Sequence, residues 1–202
     1  RFMQLYNGYK LNIPSKGEKE SKTTYAERIK IFMKREGSYE SSEYTKVSSI
    51  PQRCVALTDN DPPKDSALPQ KGEHLKGENP FLYYKDQSAA MTNNCRVFVN
   101  SKTFEYDLAI ESHHNAKIML KILLSEISSK IRQDKIKEYI DMINSDTVSD
   151  DAQMSYFILT QIESSEIGKG LFAQLLSDAI DDEFDIPLYI IEAIDFMLGI
   201  EK

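Results

Sequence analysis

The sequence predicts an α/β fold, a parallel sheet flanked by helices and interrupted by a helical insertion. Three observations carry that reading. Arg53-Cys54-Val55-Ala56-Leu57-Thr58 is a short continuous apolar run closed by a turn signal, as in a buried parallel strand. Cys95 to Val99 repeats the pattern. From Thr103 onward the apolar residues fall at helical spacing almost to the end of the chain.

Taken in order, residues 1–11 read as the end of a helix, with Phe2, Leu5 and Tyr6 at helical spacing and Gly8 near its stop. Residues 12–24 are rich in Lys, Glu, Ser and Gly and read as a loop; Tyr25 to Arg35 is a short amphipathic helix ended by Gly37, and Ser38 to Ser49 is polar and weakly patterned. After the first strand, Asp59-Asn60-Asp61-Pro62-Pro63 stops the run, and residues 62–93, with four of the seven prolines, form a long loop. Past the second strand, one helix is predicted from Leu108 to Leu124, interrupted by His113 and His114. Lys130 to Ile143 and Ala152 to Ile162 are amphipathic, the latter capped by Ser149 or Asp150. Gly168-Lys169-Gly170 precedes an apolar helix from Leu171 to Ile180, and Pro187 suits the first turn of a last helix running to Leu198.

The 202 residues are 41% hydrophobic and 28% charged, enough for one good core or two small ones. Cys54 and Cys95 both sit in apolar runs, which points to buried free thiols rather than a disulfide framework. No apolar stretch approaches the ~18–20 residues of a membrane span, and a cytoplasmic location is expected. The net charge of −7 argues against a generic nucleic-acid coat. Its distribution is uneven: Asp141 to Lys202 holds 14 acidic residues against 2 basic ones, leaving residues 1–140 at +5. Such a chain can hold DNA if metal ions neutralise carboxylates where the phosphate sits, although solvated charged faces are the plainer account.

Asp59 and Asp61 stand at the C-terminal end of a predicted parallel strand, facing the crevice where open α/β sheets bind ligands. Two hard oxygen donors at that spacing, projected to one side by an extended backbone, suit Mg²⁺ or Mn²⁺. The same residues are also ordinary turn chemistry. Glu105 and Asp107 follow the second strand, at the first turn of a helix that Thr103 can cap; there they also complement the helix dipole. That two strands both end in acidic pairs, on one sheet edge, is the more telling coincidence. Lys169 is the single Lys or Arg between Glu138 and Glu201, and its flanking glycines allow close approach to another group. It suits an electrostatic role toward a phosphoryl oxygen, or is a solvated lysine at a helix entry. The glycine spacing is not that of a phosphate-binding P-loop. His113 and His114 match no zinc spacing with Cys95 and read as surface or packing residues.

Read together, five stretches resemble the C-terminal region of OLD-family ATP-dependent nucleases, the group that includes Gabija-type and retron-associated defence nucleases. They are Phe2 to Gly8, Arg53 to Pro62, Thr103-Phe104-Glu105-Tyr106-Asp107-Leu108-Ala109, Gly168-Lys169-Gly170-Leu171-Phe172-Ala173-Gln174, and Ile186-Pro187-Leu188-Tyr189-Ile190. The resemblance implies a Toprim-like parallel sheet in residues 1–110, a helical insertion over 111–163, and a returning segment over 164–202 that carries the lysine. It implies that Asp59 and Asp61 bind Mg²⁺ or Mn²⁺, that Glu105 helps hold a second ion, and that Asp107 ligates or orients. Lys169 would stabilise charge on the scissile phosphate during two-metal phosphodiester hydrolysis of DNA.

The family's first-strand Glu, in a Glu-Gly context, and its Walker A motif are not found in this sequence. Both are expected upstream of Arg1, so residues 1–202 alone are expected to be inactive, with an ATPase domain upstream or in another chain and a homo-oligomer as the assembly. The rival expectation is a Toprim-like module whose work is assembly, through the apolar helices 171–180 and 187–198. A topoisomerase- or primase-like enzyme would need a nucleophilic tyrosine domain or a zinc module, and neither is recognisable.

Overall fold

The computed structural model describes residues 53–79, Leu82, Lys85, 95–164 and 168–200. The helices expected over residues 1–11 and 25–35, and the loop between them, lie outside the described residues. Two strands, β1 (Cys54–Thr58) and β2 (Cys95–Val99), pair in parallel with Cys54 opposite Cys95 and Thr58 opposite Val99. Val97 and Val99 are buried against Ala56 and Leu82. β1 departs from the expected fully buried strand: it is half-buried, and Leu57 is 49% exposed. Cys54 is half-buried rather than buried.

Six helices follow: α1 (Phe104–Glu111), α2 (His113–Glu126), α3 (Lys130–Asn144), α4 (Asp151–Ser164), α5 (Gly168–Ala179) and α6 (Leu188–Leu198). Thr103 caps α1 as expected, its hydroxyl accepting from the Tyr106 N–H at 3.4 Å. The single helix predicted from Leu108 to Leu124 is in fact two. Ser112 adopts extended backbone (φ −158°, ψ 158°) and its Oγ accepts from the Asn115 N–H at 3.2 Å. A serine that can bond the backbone locally offers an alternative to continuing the helix, and here that alternative starts a new one. Asp150, rather than Ser149, caps α4, accepting from the Gln153 N–H at 3.0 Å. Pro187 stands one position earlier than expected, as the residue capping α6.

One apolar core joins the first five of these helices. Leu108 of α1, Met119, Leu120 and Leu123 of α2, Ile136 of α3, Met154, Ile158 and Ile162 of α4, and Phe172 and Leu176 of α5 are all buried in it. Side chains on both sides of positions 111 and 163 share this core. Asn115, fully buried, ties the chain leading into α6 onto α1: its Nδ2 donates to the Leu108 and Asp185 carbonyls at 3.0 and 2.7 Å, and its Oδ1 accepts from the Asp185 N–H at 2.9 Å. The buried amide is thereby satisfied, as burial demands. α6 then lies against both strands. Phe196 packs on Phe98 at 6.3 Å between ring centroids and lies under the guanidinium groups of Arg53 and Arg96, at 5.4 and 5.1 Å. No described helix is long and apolar enough to cross a membrane.

Candidate active site

At the C-terminal edge of the sheet, three buried asparagines fasten the two strand ends together. Asn100 follows β2, and its N–H donates to the Thr58 carbonyl at 3.3 Å; its Oδ1 accepts from the Asn60 N–H at 3.0 Å. Asn60 donates from Nδ2 to the Leu75 and Ser101 carbonyls at 2.8 and 3.1 Å. Asn79 donates from Nδ2 to Thr58 Oγ1 at 3.0 Å and to the Asp59 carbonyl at 2.5 Å, with a longer reach of 3.4 Å to Asp61 Oδ2. Gly77 is packed so closely on Asn60 that a Cβ would run into the Asn60 carbonyl and side-chain amide.

These bonds set the two aspartates. Asp59 Oδ1 accepts from Asn100 Nδ2 at 2.6 Å and from the Phe104 N–H at the start of α1 at 3.1 Å. Asp61 has a positive φ of 48°, in the left-handed region, directly before Pro62. Strand alternation therefore does not align the two carboxylates, because the extended backbone ends at Thr58. A turn clamped by Asn79 and Asn100 does so instead. Left-handed backbone at a non-glycine residue costs ~1–3 kcal/mol and persists where its surroundings over-determine it, and such strain clusters at functional sites.

Glu105, in the first turn of α1, receives Lys169 Nζ at 3.3 Å from Oε2; the same ammonium lies 3.3 Å from Glu163 Oε1 at the end of α4. Burial disfavours the charged lysine, but Glu105 and Glu163 outweigh it and the net effect raises its pKa. Asp59 is shifted up from the ordinary carboxylate value. Burial is the main cause, the Asp61 and Glu105 carboxylates add repulsion, and the Asn100 bond and Lys169 oppose it. Asp59, Asp61, Glu105 and Lys169 thus share one electrostatic field, although they come from three segments far apart in sequence.

Asp107 sits differently. Its carboxylate accepts from the Ser101 N–H at 2.8 Å, Ser101 Oγ at 3.0 Å and the Lys102 N–H at 3.1 Å, so it holds the turn between β2 and α1. His113 and His114 bond different carboxylates, Asp151 at 2.8 Å and Asp181 at 2.9 Å. Among the described residues no group of three or more His, Cys, Asp or Glu is gathered closely enough to form a ready-made metal cage.

A cavity of about 320 Å³ opens beside the aspartates, lined by Leu57, Thr58, Asp59, Asp61, Asn79, Asn100, Phe104 and Tyr189. No family model, curated protein or solved structure matches this chain.

The site therefore rests on its geometry. Sequence reading missed the asparagines, Glu163 and Tyr189. Asn100 carried a usable signal, an amide placed directly after a strand and level with Asp59. Tyr189 carried none, because its place depends on how α6 packs on the sheet. Its hydroxyl is buried and, among the described residues, makes no hydrogen bond of acceptable geometry, although the Asn100 amide lies close enough to act on it. Burial is the main cause that raises its pKa, and the nearby Asp107, Asp59 and Glu105 carboxylates add to it, so the phenol stays protonated.

Proposed function

We propose that this chain carries the metal-binding and lysine half of a nuclease centre that hydrolyses DNA phosphodiesters, in a Toprim-like domain of the OLD family. The observation that carries the reading is the convergence of Asp59, Asp61, Glu105 and Lys169 on one rim of a parallel sheet. The donor set fits a hard divalent cation: oxygen ligands, partly buried, mutually repelling, and held in place by neutral amides. Mg²⁺ keeps several waters and needs only one or two carboxylates beside substrate phosphate, so a closed three-ligand cage is not required. Asp59 and Asp61 are the proposed ligands, with Glu105 serving a second position.

The chemistry that Mg²⁺ or Mn²⁺ supplies when bound is charge neutralisation and a more acidic water. The chain's own residues do the rest. Asn100 and the Phe104 N–H fix the Asp59 carboxylate through Oδ1. Asp107 orients, by holding the turn from which Glu105 projects. Lys169, held between Glu105 and Glu163, places an ammonium where a non-bridging phosphate oxygen can take one of its protons in a hydrogen bond. Cutting is proposed to need, in addition, the Glu-Gly strand and ATPase domain that the family resemblance implies. Calorimetric titration with Mn²⁺ tests the centre. Wild type is expected to bind and Asp59→Ala with Asp61→Ala to lose the site; equal binding by both would refute it.

One observation favours a second reading, a non-catalytic assembly module. Leu188, Ile194, Met197 and Leu198 of α6 are exposed, Leu198 by 70%, as are Ile180 and Ile186 just before it. A self-associating chain that takes up no Mn²⁺ and dissociates on Met197→Glu would establish that reading over the first.

A further inference from the structure

The cavity beside Asp59 and Asp61 has a mixed lining: Thr58, Asp59, Asp61, Asn79 and Asn100 are polar, whereas Leu57, Phe104 and the Tyr189 ring are apolar. Leu57 and Phe104 are 49% and 43% exposed, which leaves an aromatic ring and an aliphatic side chain open to solvent at the mouth. Inside, Tyr189 is 9% exposed, and its hydroxyl, near the Asn100 amide, makes no hydrogen bond among the described residues. Buried hydroxyls are nearly always hydrogen-bonded, and leaving one unmade costs ~1–3 kcal/mol. An unpartnered one on a cavity wall is a donor waiting for a ligand atom.

We infer that this cavity receives one unpaired nucleotide, its base against Phe104 and Leu57, its phosphate toward Asp59, Asp61 and Lys169, and a polar edge atom at the Tyr189 hydroxyl. The inference rests on the proposed nuclease reading and names its substrate class, single-stranded or frayed DNA. At about 320 Å³ the cavity lies at the small end of the ~300–1,000 Å³ span of ligand pockets. That is room for a single base with its sugar and not for a stacked pair. A paired base cannot present its face to Phe104, because its neighbours in the stack cover it; an unpaired one can. Three carboxylates repel the phosphate unless a divalent cation is bound, so occupancy requires the cation.

The test is fluorescence anisotropy of a fluorescein-labelled single-stranded oligonucleotide and of a blunt hairpin of the same length. Both are titrated with the 202-residue chain in Ca²⁺ and in EDTA. Expected is Ca²⁺-dependent binding, at least about ten-fold tighter for the single strand. Phe104→Ala should abolish that preference, Phe104→Trp should keep it, and Tyr189→Phe should weaken single-strand binding several-fold; base-on-aromatic stacking is strong enough for the first of these. Phe104 is exposed, so its truncation leaves the core intact. Equal Ca²⁺-dependent binding of both DNAs, indifferent to Phe104→Ala, would overturn the inference and leave the nuclease reading standing. Absence of any Ca²⁺-dependent binding would overturn both.

Discussion

Lys169 Nζ lies 3.3 Å from Glu105 Oε2, a bond across 64 positions of sequence that links the first turn of α5 to the first turn of α1. The ion pair is partly exposed, with 45% of the lysine side chain open to solvent. Pairs of that kind contribute ~0–1 kcal/mol. Lys169→Ala is accordingly expected to shift Tm by no more than ~2–4 °C, the change that about 1 kcal/mol produces in a chain of this size. If the lysine serves a phosphate, the same variant should lose Ca²⁺-dependent DNA binding by ten-fold or more. Loss of folding in thermal melts, with no separate binding defect, would assign it a structural role instead.

Asp59→Asn should stabilise the chain near neutral pH. The folded pKa of Asp59 lies above the ordinary value of 3.8, so the folded state holds its proton more tightly than the unfolded state does. The penalty for ionising it in the fold is absent below about pH 3.8 and grows as pH rises through the folded pKa. Asn removes that penalty while still accepting from Asn100. Melts of both proteins from pH 7 down to pH 4 should show a higher Tm for the variant at the upper end. The gain should shrink toward the lower end. Mn²⁺ should narrow the difference by stabilising wild type alone. A lower Tm for the variant at pH 7 would contradict the argument.

Gly77→Ala is expected to destabilise the chain by about 1–3 kcal/mol, the usual range for overpacking. The added methyl meets the backbone carbonyl of Asn60, which accepts from the Asn79 N–H, and its side-chain amide, which is tied to the Leu75 and Ser101 carbonyls. Mn²⁺ titration of the folded variant should show weaker binding, because the turn carrying Asp59 and Asp61 moves with Asn60. A variant with wild-type melting and binding would show that the loop around residue 77 is free to adjust.

Asn115→Ala removes three hydrogen bonds and leaves the Asp185 N–H and the Leu108 and Asp185 carbonyls without their side-chain partner. Each such loss in a buried setting costs ~1–3 kcal/mol, and a chemical denaturation midpoint should fall clearly. Hydrogen exchange should rise first in α6, which this amide helps to anchor. Uniform exchange across all helices would argue that α6 is held by its contacts with the strands alone.

Much of this architecture is legible in local chemistry. The apolar runs at Cys54 and Cys95 are strands, and they pair in parallel; Thr103 caps the helix that follows. What escaped the sequence lies in long-range polar contacts. The break at Ser112 is a hydroxyl choosing one backbone N–H over helix continuation, a competition decided by tertiary packing. Strand alternation predicts Asp61 beside Asp59, whereas a left-handed turn that Asn79 helps to hold sets its position. Asp107, grouped with the other acids by spacing, spends both oxygens on Ser101 and Lys102. Periodicity reports which face of an element is apolar, and it is silent about which amide, 40 positions away, will meet a carboxylate.

Helix α6 touches the sheet at both ends, Tyr189 beside Asn100 and Phe196 beneath Arg53, whose guanidinium also donates to the Phe196 carbonyl at 2.9 Å. Eleven residues of helix make a stiff rod ~16 Å long. The cavity's tyrosine is therefore mounted on a lever whose far arm is gripped by arginines at the opposite edge of the strands. A substitution of Arg53 is expected to be felt at the phenol as well as at Phe196, because both sit on that one helix.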